Sequence, residues 1–339
     1  MTLIAPAYET VNPSMMLPEI IMPYSLASGA FALLPEEQPR VMLGEGDLAV
    51  YIRRLDVRTK AAVGQVAYNM MPSPDIVASM ISTPTYLVRN RAEYDHHDTA
   101  RAGVYGFSLT EATRLANQQA HVNTARTLLL YGANPANGEG LINTNGATAI
   151  SLPPDSYGDT TISTYDNGQL AFFFANIVGN IKVRTNNIGI GRKFVFLSPQ
   201  RVLEAIGYNV VQLVQYQRPG AGTDSSAGLI KAILMSNGDT VIWGCDDTLI
   251  GKGSGGTDAI ICVMPEVANP QAANPWNTNK FANLKPGLDA TISQLVDMSA
   301  PREITVPLPG GAVDTVYEMR ETSGWAFRPE AITIISAGY

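Results

Sequence analysis

The sequence is short of charge. Lys, Arg, Asp and Glu make up 16% of its 339 residues, against about 25% in an ordinary soluble protein. A free-standing monomer covers its surface with charge, whereas the cores of interfaces are depleted of it. Mean hydropathy is only +0.03, so the missing charge is not replaced by a lipophilic composition. Together these favour a chain that hides surface against other chains. Runs of positive charge are also missing: the nearest approaches are Arg53-Arg54, Arg89-Asn90-Arg91 and Arg192-Lys193, and the formal net charge is −7. Proteins that grip nucleic acid carry a basic patch. Tight DNA binding is therefore not expected, although a mildly acidic wall can enclose DNA without gripping it.

Cysteine is nearly absent. Cys245 and Cys262 each lie in an apolar stretch and read as small core residues. A single bridge between them stays open, but no disulfide framework exists, which favours assembly in a reducing cytoplasm. No run of 18 apolar residues occurs, so no membrane span is expected. The stretch from Met1 to Thr10 has neither a basic n-region nor a long apolar h-region, and no signal peptide is expected.

Proline is plentiful at the start. Pro6, Pro13, Pro18, Pro23, Pro35 and Pro39 preclude a long helix or a central strand. Met15, Met16, Leu17, Ile20, Ile21 and Met22 make the same stretch apolar, unlike a solvated tail. It reads as an extended arm that docks on something. Residues 50–92 alternate β-prone pieces with turn signals at Pro72-Ser-Pro74 and Thr83-Pro84, the pattern of a long hairpin-like excursion. A short helix at 75–81 fits after Pro74.

The best local signal is Ser108-Leu-Thr-Glu111, a capping box in which each side chain satisfies an orphan amide of the helix start. Apolar residues then recur at three- and four-residue spacing, including Leu115, Val122, Ala125, Leu128 and Leu129, until Gly132. This predicts a helix over 109–131, about 35 Å long at 1.5 Å per residue. Beyond a loop-rich stretch (132–168), residues 168–180 with Phe172-Phe-Phe174 predict a buried helix. Lys193-Phe-Val-Phe-Leu197 predicts a buried strand, and Ser198-Pro199 opens a helix, with Ser as cap and Pro at its first position. Later strands are expected at 209–216, 229–236, 240–245, 258–264, 302–307, 313–320 and 325–335. The class is α+β, with a long helix early and sheet late.

Signals for chemistry are weak. Gly251-Lys-Gly253-Ser-Gly-Gly256 has the letters of a dinucleotide loop. That mechanism needs a helix N-terminus after the loop, and the β-prone Asp258-Ala-Ile-Ile-Cys-Val follows instead. Asp95-His96-His97-Asp98 suggests a metal. Neighbours on a strand point to opposite faces, and the only other histidine is His121, so a solvated polar strand or turn is the plainer reading. There is no Gly-x-Ser-x-Gly elbow, no activated cysteine and no paired carboxylates. Tyr51, Tyr68, Tyr86 and Tyr94 lack the basic groove that base stacking uses; packing suits them better. No catalytic, cofactor-binding or metal-binding residue is assigned, and the chain is not expected to be an enzyme.

The order of parts resembles the major capsid proteins of tailed bacteriophages, the Hong Kong 97-type fold shared by encapsulins. In that family a spine helix often opens Ser/Thr-x-x-Glu, as Ser108-Leu-Thr-Glu111 does. Leu130-Tyr-Gly132 followed by Gly140-Leu-Ile-Asn143 matches the element that closes it. Phe196-Leu-Ser-Pro-Gln-Arg-Val-Leu203 matches the family's strand leading into a Ser/Pro-started helix. Gly324-Trp-Ala-Phe-Arg-Pro-Glu-Ala-Ile-Thr333 matches its closing strand. The resemblance covers roughly residues 40–339 and is nearest the small, encapsulin-like capsid proteins without a long scaffolding region.

The resemblance implies an N-terminal arm (1–48), an extended β loop over a neighbour (49–95), and a peripheral domain (96–159) with spine helix 109–131. An axial domain (160–300) and return strands (301–339) complete it. It implies pentamers and hexamers of this chain in an icosahedral virion shell around double-stranded DNA, assembled in the bacterial host cytoplasm. Portal, scaffold and decoration proteins are the family's partners; no cofactor and no membrane are implied. Deleting residues 1–30 should leave a foldable subunit that closes shells poorly, and Asp at Leu115 or Leu128 should unfold it. An encapsulin-type compartment shares the fold, but its usual opening helix does not suit this Pro-spaced arm. A cytoplasmic enzyme would rest on the 251–256 or 95–98 motif. A phage tail or adhesin module would leave the long capped helix unexplained.

Overall fold

Strand pairing sorts the chain into two main sheets. The structure, a computed structural model, describes residues 29–58, 75–104, 106, 108–208, 210–212, 223–225, 238–267, 292–309 and 311–339. The arm's residues 1–28, Tyr68 and the strand expected at 229–236 lie outside the described residues. Fold class is α+β, as expected.

The first sheet is built on β13 (Val313–Thr322). One edge of β13 pairs with β12 (Arg302–Pro307) and then β11 (Asp297–Ser299); β1 (Arg40–Leu43) adds in parallel to β11. The other edge takes Thr85–Tyr94 of β3 (Asp75–Tyr94). The first half of β3 instead pairs with β2 (Ala49–Arg58), from Asp75↔Arg58 to Pro84↔Ala49. So residues 75–81 are strand, not the helix the sequence suggested: ten cross-strand partners outweigh one local Pro signal. Thr83-Pro84 is no turn either. Pro84, which has no amide to donate, stands where β3 changes partner from β2 to β13, a place where a ladder donor is not needed.

The second sheet has the order β4-β15-β9-β5-β8: Thr148–Ser151, Ile332–Ala337, Asp258–Val263, Lys193–Ser198 and Thr240–Cys245. Residues beyond 300 thus serve both sheets. The stretch 325–335, expected as one strand, is β14 (Trp325–Ala326) and β15 separated by a turn at Pro329–Ala331. Strand β5 is buried on both faces, which explains its unbroken apolar run. Phe194 and Phe196 face α3 (Asn167–Arg184) and α4 (Gln200–Tyr208) across a core with Phe174, Val202 and Ile206. Val195 and Leu197 face the opposite core, with Leu129, Leu130 and Leu141 and the arm's Ala30, Leu33 and Leu34. Ala30 is fully buried, so the deletion of residues 1–30, expected to leave a foldable subunit that closes shells poorly, also removes a core residue.

Helix α2 (Leu109–Tyr131) has the predicted bounds. Ser108 Oγ accepts from the Glu111 amide at 3.4 Å, and the Gly132 amide reaches Leu128 O at 3.1 Å. The Gly140-Leu-Ile-Asn143 match has a physical basis. Gly140 has φ +83, and any Cβ there would strike the backbone at Tyr131 and Gly132. Its amide bonds Gly324 O at 2.9 Å. Leu141 fills the core, and Asn143 Nδ2 caps the helix end by donating to Tyr131 O at 3.0 Å.

Three local readings are corrected. Leu115 and Val122 are 37% and 54% exposed; the inward face of α2 is Asn117, His121, Ala125 and Leu128. Residues 95–98 are no strand: Asp95 caps α1 (His96–Val104), its Oδ1 accepting from the Asp98 amide at 2.8 Å. The Asp98 carboxylate answers at 3.4 Å from the Asp95 amide, the reciprocal logic of a capping box. Ser198 does not cap α4. Its Oγ is buried and unpaired, and Asp247 Oδ1 takes the Gln200 amide at 2.8 Å.

Candidate assembly surfaces

The sequence-derived chemical motifs are spent on structure. In the 251–256 loop the amides are consumed internally: Lys252 N reaches Leu249 O, Gly253 N reaches Thr257 O, and Gly251 N reaches Asp258 Oδ1. Strand β9 follows the loop, so the helix N-terminus on which a pyrophosphate would sit does not follow it. His96 and His97 have ring centroids 3.9 Å apart, and the carboxylate of Asp95 is held below its usual range by the Asp98 amide first of all. Among the described residues no group of three His, Cys, Asp or Glu is placed to hold a metal. Cys245 and Cys262 are free thiols, and burial pushes both upward in pKa. No described helix is long and apolar enough to cross a membrane.

What the fold leaves open is surface. The β2–β3 ribbon is two strands wide over ten residue pairs, about 33 Å at ~3.3 Å per residue. Tyr51 and Met80 fall on one face by register and Val77 on the other, and they are 65%, 62% and 48% exposed. Exposed apolar side chains thus stand on both faces. A two-stranded ribbon is marginal in water, and its free edges invite another chain. On α3, which packs against the second sheet, Phe172 and Val183 are 66% and 58% exposed. Their exposure fits the charge-poor composition.

A second opening lies under α2. Val122 and Ala125 line an open groove of about 500 Å³ together with Met298 of β11, Tyr317 and Met319 of β13, and Phe31. His121 is in its wall, with neither ring nitrogen hydrogen-bonded, and burial lowers its pKa. Beside it Asn90 Nδ2 donates to Asn117 Oδ1 at 2.5 Å. Further along the sheet lies a buried polar junction. Glu139 accepts from Tyr86 Oη at 2.9 Å, Ser323 Oγ at 2.9 Å and the Asn134 amide at 3.0 Å. Tyr86 is consequently pushed up to about 12, by burial and then by the carboxylate it bonds. These polar groups were invisible in the sequence, because β3, β13 and the 139–143 turn meet only in the fold.

No protein-family model matches the sequence, and no curated protein matches it. Solved structures do. The capsid of Myoviridae phage XM1 superposes with a TM-score of 0.64 at 14% identity, covering 99% of this chain and 99% of that one. The capsid structure of cyanophage P-SCSP1u gives 0.58 at 8% identity over 96% of this chain and 92% of its own. A structure of Microbacterium phage Oxtober96 gives 0.57 at 12% identity over 96% of both. The chain has a capsid fold. The likeness runs over nearly the whole length of the chain.

Proposed function

We propose that this chain is the major capsid protein of a tailed phage, of the Hong Kong 97 type, and that it acts by self-assembly and not by catalysis. The observation that carries the reading is the β2–β3 ribbon: ten paired residues long, two strands wide, with Tyr51, Val77 and Met80 exposed, in a subunit whose fold is that of capsid proteins. A ribbon of this kind is stable when laid on a neighbour, and head-to-tail contacts that close into rings give pentamers and hexamers. In this reading residues 1–48 are the arm, 49–95 the loop over the neighbour, 96–159 the peripheral domain, 160–300 the axial domain and 301–339 the return strands. The shell encloses double-stranded DNA without gripping it, in keeping with the net charge of −7. Portal, scaffold and decoration proteins are its partners, and assembly takes place in the host cytoplasm.

The test is negative-stain electron microscopy of the chain expressed alone in bacteria, and again with a scaffold protein from the same genome. Closed particles, tubes, or rings of five and six are expected. A monomer under both conditions and under crowding would overturn the reading. Particles filled with a cargo enzyme instead of DNA would mark a compartment shell.

A further inference from the structure

Asparagine precedes glycine at Asn137-Gly138, Asn145-Gly146, Asn167-Gly168 and Asn237-Gly238. Asparagine is a chemically labile side chain. A glycine after it makes it more so, because no Cβ hinders the approach of the glycine amide to the carboxamide carbon. The attacking group is that amide nitrogen. An amide that already donates a hydrogen bond must give it up first, so the fold decides which pair can react. Asn237 lies outside the described residues; the other three pairs differ.

The Gly138 amide donates to Pro135 O at 3.0 Å, closing the helical turn Pro135–Asn137. The Gly168 amide donates to Asp166 Oδ1 at 3.0 Å, at the start of α3. The Gly146 amide donates to no group among the described residues, although its neighbour Ala147 reaches Thr144 O at 3.2 Å. Asn145 and Gly146 are both exposed, so water reaches them. Gly146 has φ +86, a conformation that residues with a side chain rarely adopt. The Asn145 carboxamide rests against Gly138, where a Cβ would meet its Nδ2 at 2.5 Å.

We infer that Asn145 is a site of spontaneous covalent modification in the folded subunit. The Gly146 nitrogen gives up its proton and attacks Cγ of Asn145. A C–N bond forms, the carboxamide C–N bond breaks, and ammonia leaves with the proton. Water then adds to one carbonyl of the cyclic imide and opens it, giving aspartate or isoaspartate. Either product sets a carboxylate against Gly138, next to Glu139, whose own carboxylate ties this turn to Tyr86 and Ser323. Isoaspartate also lengthens the backbone between Asn143, which caps α2, and β4. The turn that closes α2 thus carries a slow, one-way change that adds a negative charge to the formal −7. This inference goes beyond the shell reading and does not require it.

The experiment holds the purified full-length chain at neutral pH, folded in buffer and unfolded in guanidinium chloride, and samples both over weeks. Mass spectrometry with electron-transfer fragmentation counts aspartate and isoaspartate at each Asn-Gly pair. In denaturant the pairs should react at similar rates. In the folded chain Asn145 should lead Asn137 and Asn167 by about fivefold or more, the rate equivalent of one hydrogen bond of ~1 kcal/mol. Asp166→Ala frees the Gly168 amide, so it should raise the rate at Asn167 by about the same factor and leave Asn145 unchanged. A folded chain in which Asn137 or Asn167 keeps pace with Asn145, a lead of Asn145 that persists in denaturant, or an Asn167 indifferent to Asp166→Ala would each overturn the inference. Thermal melts report whether Asp166→Ala still folds; if it does not, the parent chain compared folded and unfolded decides.

Discussion

Glu321 is completely buried on the inward face of β13, and neither carboxylate oxygen has a hydrogen-bond partner. Tyr86 of β3 and Met298 of β11 lie opposite it in register, and neither brings a positive charge. Burial alone pushes its pKa up to about 8, from an ordinary value of 4.5. The folded chain therefore holds this proton more tightly than the unfolded chain does. Its contribution to stability is fully present below about pH 4.5, falls as pH rises, and is lost once pH passes about 8. At roughly 1.4 kcal/mol per pH unit, the loss amounts to several kcal/mol. Glu321→Gln should flatten this slope, raising the midpoint of denaturant unfolding at pH 8.5 far more than at pH 5; equal effects at both pH values would contradict the account. At the same scale, Leu128→Asp should unfold the subunit, because Leu128 is 8% exposed and a buried unpaired charge is costly. Leu115→Asp, at 37% exposed, should change stability by about 0.5 kcal/mol or less, as thermal melts of the dissociated subunit would show.

Elements whose cause is local were legible in the sequence, and elements whose cause is distant were not. Helix α2 was legible because its cap, its period and its terminal glycine all lie within its own residues. Strand β5 was legible because burial on both faces leaves an unbroken apolar run. Helix α4 was placed, but its cap was not: Asp247 stands 47 residues from Gln200, and nothing in the local Ser198-Pro199 pattern reveals it. Asp247→Ala should thus cost about 0.5–1 kcal/mol, the low end for an exposed cap. Ser198→Ala should be neutral or slightly stabilising, since the hydroxyl it removes is buried and unpaired. A melt series with the opposite ranking would restore Ser198 as the cap. The first half of β3 was misread for the same reason, because only its pairing with β2 makes residues 75–81 extended. The groove under α2 could not be read either. Its walls come from α2, β11, β13 and the arm, and an apolar residue facing a cavity looks in sequence like one facing a core.

At the scale of the whole molecule, scarce charge and exposed apolar side chains are one property seen twice. A subunit with 16% charged residues leaves Tyr51, Met80 and Val77 bare on both faces of a ribbon, and such surface is tolerated when it is covered in an assembly. The ribbon should then matter to assembly and hardly at all to the subunit. Tyr51→Asp together with Met80→Asp puts two negative charges on one ribbon face, where neither side chain supports the subunit's own core. Surface changes of this kind usually shift stability by about 0.5 kcal/mol or less, so the unfolding midpoint of the isolated subunit should stay where it was. Laid against a neighbour, the same two charges would be desolvated without partners, at a cost of several kcal/mol per contact repeated around every ring. Sedimentation should accordingly show dispersed subunits where the parent chain gives particles. If the double variant still forms closed shells, the ribbon is not the contact that holds them; if it fails to fold, the ribbon belongs to the subunit's core and not to its surface.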